Sequence, residues 1–191
     1  MLRSLLLAPP GAGKGTQGER IAARYGVPHI ATGDLLRDEV ARKTPIGEDV
    51  AARMAQGELV PDELVTSLVR ASIGALAPPV GFVLDGFPRT LVQAEQAYAW
   101  AGPARLTFHA VLVLEVPEDV LVERVLERGR TTGRADDTDR TIRRRLQVYA
   151  ATSEPLLDFY RNRDLLVEID GTGTVDEVTD RIRTQIGRAH V

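Results

Sequence analysis

The chain has 191 residues, of which 43% are hydrophobic and 27% are charged, and this composition is typical of one soluble globular domain. The net charge of −3 argues against a nucleic-acid polymer or an anionic membrane as partner, and no apolar run approaches the length of a membrane span. The absence of cysteine excludes disulfides and thiolate zinc sites and is compatible with a cytoplasmic location.

Five mostly unbroken apolar runs predict buried strands, and helical patterns lie between them. The strands are predicted at 2–7, 27–30, 81–85, 108–116 and 165–169. The helices are predicted at 15–25, 32–42, 61–76, 90–100, 117–128 and 140–162, with a last helix after 174. A further short helix is predicted to follow the break at 45–47 and to run to 56–57. This alternation predicts an α/β fold, with a parallel five-stranded sheet flanked by helices and ligands bound beyond the carboxyl ends of its strands. Thr32 or Asp34 is expected to cap the second helix, and Thr174 the last.

A tight glycine-rich turn joins the first strand to the first helix. Its residues are Pro9-Pro10-Gly11-Ala12-Gly13-Lys14-Gly15-Thr16. Such a turn directs backbone N–H groups towards an anion at the positive end of a helix, and Lys14 adds a full charge where two phosphates could meet. The Thr16 hydroxyl is placed to reach a phosphate or the water shell of Mg²⁺.

This turn resembles the Walker A pattern, G-x-x-x-x-G-K-[ST], with two departures. Ala8 stands where the first glycine belongs, and Gly15 separates the lysine from the threonine. If position 8 requires a positive φ, alanine costs about 1 kcal/mol there, and otherwise little. Among 24 Lys and Arg residues only Lys14 and Lys43 are lysine, and a compact ammonium suits a place between phosphate oxygens where a planar guanidinium is too large.

An aspartate ends the third predicted strand. Asp85 follows Phe82-Val83-Leu84 as the acid of a Walker B strand does, and from there its carboxylate can orient water on Mg²⁺. An isolated aspartate at a strand end is more often a turn former, so this interpretation depends on the nearby phosphate loop. His29 has no ligand spacing, and we interpret it as structural or exposed.

Five stretches resemble the adenylate kinases, a branch of the nucleoside monophosphate kinases. In chain order they are Pro10-Gly11-Ala12-Gly13-Lys14-Gly15-Thr16-Gln17, Ala31-Thr32-Gly33-Asp34-Leu35-Leu36-Arg37, Gly57-Glu58-Leu59-Val60-Pro61, Asp85-Gly86-Phe87-Pro88-Arg89-Thr90 with Gln93, and Gly133-Arg134-Ala135-Asp136-Asp137. Together they span nearly the whole chain. The resemblance implies the reaction ATP + AMP ⇌ 2 ADP, with Mg²⁺ accompanying ATP.

The resemblance also implies one P-loop NTPase-type domain with a helical AMP-binding insert and a lid that closes over ATP. The core would comprise 1–30, 61–128 and 140–191, the insert 31–60 and the lid 129–139. Longer relatives often hold zinc with cysteines in a larger lid, but this lid is short and lacks them, so we expect no structural zinc. We further expect a cytoplasmic monomer whose partners are ATP, AMP and ADP.

Individual roles follow from the same resemblance. The implied catalytic residues are Lys14, Arg89, Arg128, Arg134 and Arg145. The implied ATP-binding residues are Gly11, Ala12, Gly13, Lys14, Gly15, Thr16, Arg128 and Gly173. The implied AMP-binding residues are Thr32, Arg37, Glu58, Leu59, Val60, Gly86, Phe87, Pro88, Arg89, Gln93, Arg134 and Arg145. Guanidinium forks suit the AMP phosphate, and the Gln93 amide offers adenine both a donor and an acceptor.

Helical geometry distinguishes the three consecutive arginines at 143–145. At about 100° per residue, Arg145 lies closest to the apolar face of the predicted helix, Arg143 further away and Arg144 opposite. Arg145 is therefore the one best placed to turn towards the sheet. We interpret Arg144 as a solvated surface residue and leave the role of Arg130 open.

Two alternative functions remain open. UMP and CMP kinases of the same family tend to have Ala in place of Thr32 and Asn near the position of Gln93, so these two residues favour AMP as acceptor. A catalytically inactive nucleotide-binding protein would bind ATP without making ADP from AMP. A GTPase is excluded, because the only asparagine, Asn162, lies in Arg-Asn-Arg-Asp and not in an Asn-Lys-x-Asp base reader.

Overall fold

The computed structural model describes residues 1–78, 80–132 and 138–189. The strands within these ranges are β1 (Arg3–Leu7), β2 (His29–Ala31), β3 (Phe82–Asp85), β4 (Ala110–Glu115) and β5 (Leu166–Asp170). The helices are α1 (Lys14–Tyr25), α2 (Thr32–Ala41), α3 (Pro45–Gln56), α4 (Asp62–Gly74), α5 (Leu91–Ala101), α6 (Glu118–Thr132), α7 (Asp139–Arg161) and α8 (Val175–Ala189).

The five strands form one parallel sheet in the order β2-β3-β1-β4-β5. Strand β1 lies at its centre, where Leu5 pairs with Leu84 of β3 on one side and with Val111 of β4 on the other. This confirms the predicted α/β fold with a five-stranded parallel sheet. The central strands are covered on both faces, so both sets of their side chains are apolar and the runs are continuous.

Two apolar cores lie on opposite faces of the sheet. On one face, Leu5 and Leu7 of β1 pack with α4, α5 and α7, and Tyr160 of α7 is fully buried there. On the other face, Leu6 packs with α1, α6 and α8. Alternate residues of one strand therefore serve different cores, because successive side chains of a strand point to opposite faces.

The carboxyl ends of the strands meet along one edge of the sheet, which positions the loops that follow them. Ala31 at the end of β2 pairs with Asp85 at the end of β3, and Glu115 pairs with Asp170 at the ends of β4 and β5. Helices α2 and α3 follow β2 directly. The end of α3 reaches α7, where the Thr141 hydroxyl donates to the Ala55 carbonyl over 3.5 Å.

The helix ends differ from expectation in two places. Helix α6 continues to Thr132, so residues 129–132 of the predicted loop are helical. Neither Thr32 nor Asp34 caps α2, whose N-cap is Ala31, because the Thr32 hydroxyl donates to the Asp85 carbonyl and the Asp34 carboxylate pairs with Arg37. None of the helices in the described ranges has both the length and the apolar composition needed to cross a membrane.

The predicted cap of the last helix is confirmed. The Thr174 hydroxyl accepts a hydrogen bond from the Glu177 amide over 3.3 Å, and the Glu177 carboxylate accepts one from the Thr174 amide over 2.8 Å. This reciprocal pair satisfies backbone donors at the start of α8.

Candidate active site

A cleft of about 710 Å³ opens at the edge of the sheet where the strands end. Its walls come from the turn after β1, from α2, from the segment after β3, and from α6 and α7. Among the predicted site residues that the structure describes, every one except Phe87 lines this cleft. Stretches that are distant in the chain thus meet beyond the carboxyl ends of a parallel sheet, as the fold class predicts.

Phe87 and Arg134 are the two predicted site residues that the lining does not include, and only Phe87 lies within the described residues. The Phe87 side chain is 1% exposed and packs in the core shared with α4 and α5, so the ring does not contribute to the cleft. An apolar ring gains more free energy from burial in that core than from facing solvent. Arg134 lies outside the described residues, as does the whole stretch 133–137 that resembles the family's lid motif.

The turn after β1 forms a glycine-dependent loop around the lysine. Gly11 has φ of +89°, and a Cβ there would lie 2.6 Å from the Leu121 carbonyl oxygen, so α6 packs directly against its backbone. The Lys14 ammonium donates to the carbonyl oxygens of Ala8, over 2.7 Å, and Pro9, over 3.1 Å. The loop therefore holds its own lysine at the start of α1.

Alanine at position 8 fits this loop without backbone strain. Among the described residues other than glycine, φ is positive only at Lys43, Arg105 and Asp164. Ala8 is also 6% exposed, and its methyl group packs in the core beside α1, α6 and α8. The departure from the Walker A pattern at this position therefore costs little, because the first glycine is not needed for a left-handed conformation.

Four cations surround the centre of the cleft, and we call Lys14, Arg89, Arg128 and Arg145 the cationic cluster. Burial lowers the pKa of Lys14 to about 8, although the Asp85 carboxylate opposes this. Repulsion from the three arginines contributes to the same lowering, by less than burial does. An anion among these groups would relieve that repulsion, so the centre of the cleft favours a highly charged anionic ligand.

Arg89 is held in place by the segment that follows β3. Its Nε donates to the Gly86 carbonyl over 2.8 Å. Gly86 has φ of +78°, and a Cβ there would lie 2.6 Å from the Thr32 hydroxyl oxygen and 3.1 Å from an Arg89 terminal nitrogen. The glycine thus lets Thr32 and Arg89 approach the same point of the backbone.

The pKa of Arg89 lies below its usual value. Burial among protein atoms is the main cause, and repulsion from Arg145 and Arg37 adds to it, whereas Asp85 acts in the opposite direction. The residue as a whole is nevertheless exposed, and it lines the cleft. A guanidinium keeps its charge under these conditions, so Arg89 remains a cation that is available to a ligand.

Asp85 lies on the floor of the cleft, and its backbone carbonyl accepts a hydrogen bond of 3.1 Å from the Thr32 hydroxyl. One Asp85 carboxylate oxygen is 3.9 Å from Nε2 of His29, which also lines the cleft. The His29 ring lies against Gly18, where a Cβ would be 2.3 Å from Nε2. Sequence reasoning missed this neighbour of Asp85, because the pairing of β2 with β3 brings the two together across 56 positions.

Asp85 is also the carboxylate best placed to hold Mg²⁺. In the part of the chain that the structure describes, no three His, Cys, Asp or Glu side chains are grouped closely enough to bind a metal by themselves. A magnesium ion beside Asp85 would therefore take most of its ligands from phosphate oxygens and water, which is the usual coordination of Mg²⁺. The site fits an ion that arrives with a phosphorylated ligand.

The arginines of α7 separate as the helical geometry predicts. Arg145 is half-buried and lines the cleft, whereas Arg143 and Arg144 are exposed. Arg143 pairs with Asp139 one turn earlier, over 3.0 Å. The structure thus places Arg145, the arginine expected to be best placed to turn towards the sheet, at the cleft.

Two further arginines differ in their relation to the cleft. Arg130 is exposed and forms a surface ion pair of 3.5 Å with Glu127, so it belongs to the outer face of α6. Arg37 lines the cleft from α2, where its guanidinium contacts the Asp34 carboxylate at 2.5 Å. Such an exposed pair is weak and can open when a better anion arrives.

A hydrogen-bonded group at the far end of the cleft involves a residue that sequence reasoning missed. Gln93 is 1% exposed, and its amide oxygen accepts from the Arg89 backbone N–H while its amide nitrogen donates to the Asp62 carboxylate, both over 2.7 Å. The other Asp62 oxygen accepts from the Thr90 hydroxyl over 3.1 Å. We call Asp62, Thr90 and Gln93 the amide cluster. The sequence marked Asp62 only as a helix start.

Known proteins resemble this chain closely. The model of the family described as adenylate kinase matches residues 6–165. An adenylate kinase of Thermus thermophilus is 46% identical over 183 residues, which cover 96% of each chain. Adenylate kinases of Xanthomonas oryzae and Porphyromonas gingivalis are 42% and 43% identical, over 98% and 95% of this chain and 100% and 94% of their own lengths.

Proposed function

Because this chain belongs to the adenylate kinase family, we propose that its cleft binds ATP and AMP with their phosphates facing each other. The chain is a nucleoside monophosphate kinase, and its reaction is ATP + AMP ⇌ 2 ADP. The phosphoryl group passes directly between the nucleotides, so the protein contributes alignment and charge rather than a covalent nucleophile.

The observation that carries this proposal is the cationic cluster. Three arginines lie close enough to Lys14 to contribute to its lowered pKa, and this concentration of positive charge would offset the negative charge where the phosphates of ATP and AMP meet. Lys14 and the loop N–H groups would hold the β- and γ-phosphates of ATP. Arg128 and Arg145, with Arg134, would neutralise the charge on the group in transfer.

The AMP end of the cleft is assigned to the segment after β3 and to α2. Arg37 and Arg89 would grip the AMP phosphate, since guanidinium groups bind phosphate in a bidentate manner. Thr32, the stretch Glu58 to Val60, and the backbone around Gly86 would surround the nucleoside. The Gln93 amide would pair with the adenine edge.

The ATP end of the cleft is assigned to the glycine-rich turn and to the loop before α8. Residues 11–16 would enclose the phosphates, and Gly173, with φ of +91°, would approach the base closely because it lacks a side chain. Mg²⁺ bound with ATP would offset phosphate charge. Asp85 would hold that ion through water.

Closure of the cleft is a further part of the proposal. Residues 31–60 would form the AMP-binding insert and residues 129–139 the lid, around a core of 1–30, 61–128 and 140–191. Contact already exists between the end of α3 and α7, where Thr141 meets Ala55. Closure of both segments would exclude water, which would otherwise accept the phosphoryl group from ATP.

The decisive experiment is an acceptor panel. With ATP and Mg²⁺ present, we expect AMP to be phosphorylated far faster than CMP, UMP or GMP in a coupled assay for ADP. A preference for UMP or CMP would make the chain a pyrimidine nucleotide kinase of the same family. ATP binding without any ADP formation would identify an inactive nucleotide-binding protein.

We also propose that the enzyme acts as a cytoplasmic monomer without structural zinc. The net charge of −3 gives it no attraction to nucleic acid or to anionic membranes, and the lack of cysteine suits a reducing compartment. Light scattering during gel filtration would test the monomer, since a dimer would double the measured mass of 20.8 kDa.

A further inference from the structure

The amide cluster fixes the orientation of one side-chain amide. A glutamine amide has nearly the same shape when it is rotated by half a turn, so packing alone does not distinguish its oxygen from its nitrogen. The partners of Gln93 do distinguish them. The Arg89 backbone N–H can only donate, and the Asp62 carboxylate, when ionised, can only accept. A rotated amide would place a donor against a donor and an acceptor against an acceptor.

Asp62 is in turn held by its surroundings. Its second oxygen accepts from the Thr90 hydroxyl, and that hydroxyl oxygen accepts from the Gln93 backbone N–H over 3.2 Å at the N-cap of α5. Asp62 also occupies the first turn of α4, where a carboxylate is favoured by the helix dipole. The negative charge behind Gln93 is therefore anchored on two helices.

The fixed amide leaves one donor and one acceptor position for a ligand. Each amide atom of Gln93 has one further hydrogen-bonding position after its protein partner is counted, and the residue lines the cleft. Adenine presents a donor at N6 beside an acceptor at N1. A 6-oxopurine presents the reverse, an acceptor at O6 beside a donor at N1. A glutamine that was free to rotate could pair with either edge.

We infer that Asp62 is a specificity-determining residue, which positions the Gln93 amide so that the cleft accepts 6-aminopurine monophosphates and rejects 6-oxopurine monophosphates. This inference rests on the proposed function, because it assumes that Gln93 faces the acceptor base. Asp62 does not line the cleft, so it would act on a bound base through Gln93, to which it is hydrogen-bonded. Rejection arises because the wrong base leaves buried polar groups unpaired.

The test compares AMP with IMP, since IMP has the 6-oxo edge without the 2-amino group of GMP. Asp62→Ala removes the acceptor that holds the Gln93 nitrogen. We expect the ratio of kcat/KM for AMP to that for IMP to fall by about tenfold or more, the value of one well-placed hydrogen bond. Binding of AMP and IMP without ATP, measured by calorimetry, should show the same change in ratio.

Two further variants make the test specific. Asp62→Asn keeps a side-chain oxygen that can accept from Gln93, and we expect it to retain most of the discrimination. Glu63→Ala removes the neighbouring exposed carboxylate from the same first turn of α4. Glu63→Ala and Asp62→Ala therefore lose the same kind of favourable interaction with the helix dipole. We expect its AMP-to-IMP ratio to stay within about twofold of the unchanged protein.

The outcomes separate this inference from the proposed function. If the unchanged protein phosphorylates AMP and Asp62→Ala alone loses discrimination, the inference holds. If Asp62→Ala lowers AMP and IMP rates equally, or if Glu63→Ala has the same effect on the ratio, Asp62 is merely structural and the inference is overturned. If the unchanged protein does not phosphorylate AMP at all, the proposed function itself fails.

Discussion

The cationic cluster and the amide cluster lie in one cleft but are organised in opposite ways. In the cationic cluster like charges are brought together, and their repulsion adds to burial, the main cause of the lowered pKa of Lys14. In the amide cluster each donor meets an acceptor, and Gln93 is almost fully buried without a lost hydrogen bond. The first arrangement is completed by a ligand's charge, whereas in the second the Gln93 amide is already oriented before a ligand arrives.

This difference indicates that the two clusters contribute differently to recognition of a ligand. Relief of the repulsion among the cations makes the binding free energy of any polyphosphate more favourable, but it does not distinguish one base from another. Prearranged hydrogen bonds contribute less affinity but reject a wrong partner strongly. Substitutions in the cationic cluster should therefore affect turnover, and substitutions in the amide cluster should affect selectivity.

The largest effect is expected from Lys14→Met. Loss of the ammonium removes a charge aimed at the transferring phosphates, and we expect kcat to fall by about two to three orders of magnitude. A coupled assay for ADP measures this, and circular dichroism checks the fold. The matched control is Lys43→Met, because Lys43 is the other lysine of the chain, is exposed and does not line the cleft. Near-normal turnover of Lys14→Met would contradict the role of the cluster.

The next largest effect is expected from Arg145→Ala. We expect kcat to fall by about a hundredfold, because this guanidinium faces the same centre as Lys14 and Arg89. Arg144→Ala removes an identical side chain from the preceding position, which is exposed, and should leave kcat within about twofold. Equal losses in the two variants would show that turnover depends on the total positive charge of α7 and not on the position of Arg145.

A smaller effect is expected from pH. Lys14 has a pKa of about 8 in the free protein, and bound phosphates should raise that pKa. Below about pH 8 the lysine is charged with or without ligand, so affinity stays level. Above about pH 8 binding must take up a proton, so ATP affinity falls by up to about tenfold per pH unit until the pKa of the complex is reached. The phosphates themselves titrate near pH 6 and do not interfere.

Calorimetry at about pH 9, in buffers of different ionisation enthalpy, measures this proton uptake directly. Lys14→Met should bind ATP weakly and without proton uptake, whereas Lys43→Met should behave like the unchanged protein. Proton uptake that persists in Lys14→Met would assign the titration to another group.

The smallest effect is expected from Ala8→Gly, which restores the Walker A pattern. Because Ala8 has an ordinary backbone conformation and a buried methyl group, glycine should lower the free energy of unfolding by about 1 kcal/mol. Turnover should stay within about twofold, since the cationic cluster is unchanged. A gain in stability or a large gain in turnover would show that the loop does require glycine at this position.

Much of the site was predictable because its signals are local. The glycine-rich turn, the strand that ends at Asp85 and the inward position of Arg145 each depend on residues within about one helical turn or one strand. Other features were not predictable in this way. Nothing near Phe87 in the chain indicates that its ring enters the core, and nothing near His29 indicates that it will lie beside Asp85.

The α/β class, the phosphate loop and the inward tilt of Arg145 on α7 follow from the amino-acid sequence, because hydrophobic period and turn chemistry are properties of neighbouring residues. The strand order β2-β3-β1-β4-β5, the lowered pKa of Lys14 and the contact of Asp62 with Gln93 follow only from the packed fold. Each of these depends on distances between residues far apart in the chain, and such distances exist only after the helices have packed on the sheet.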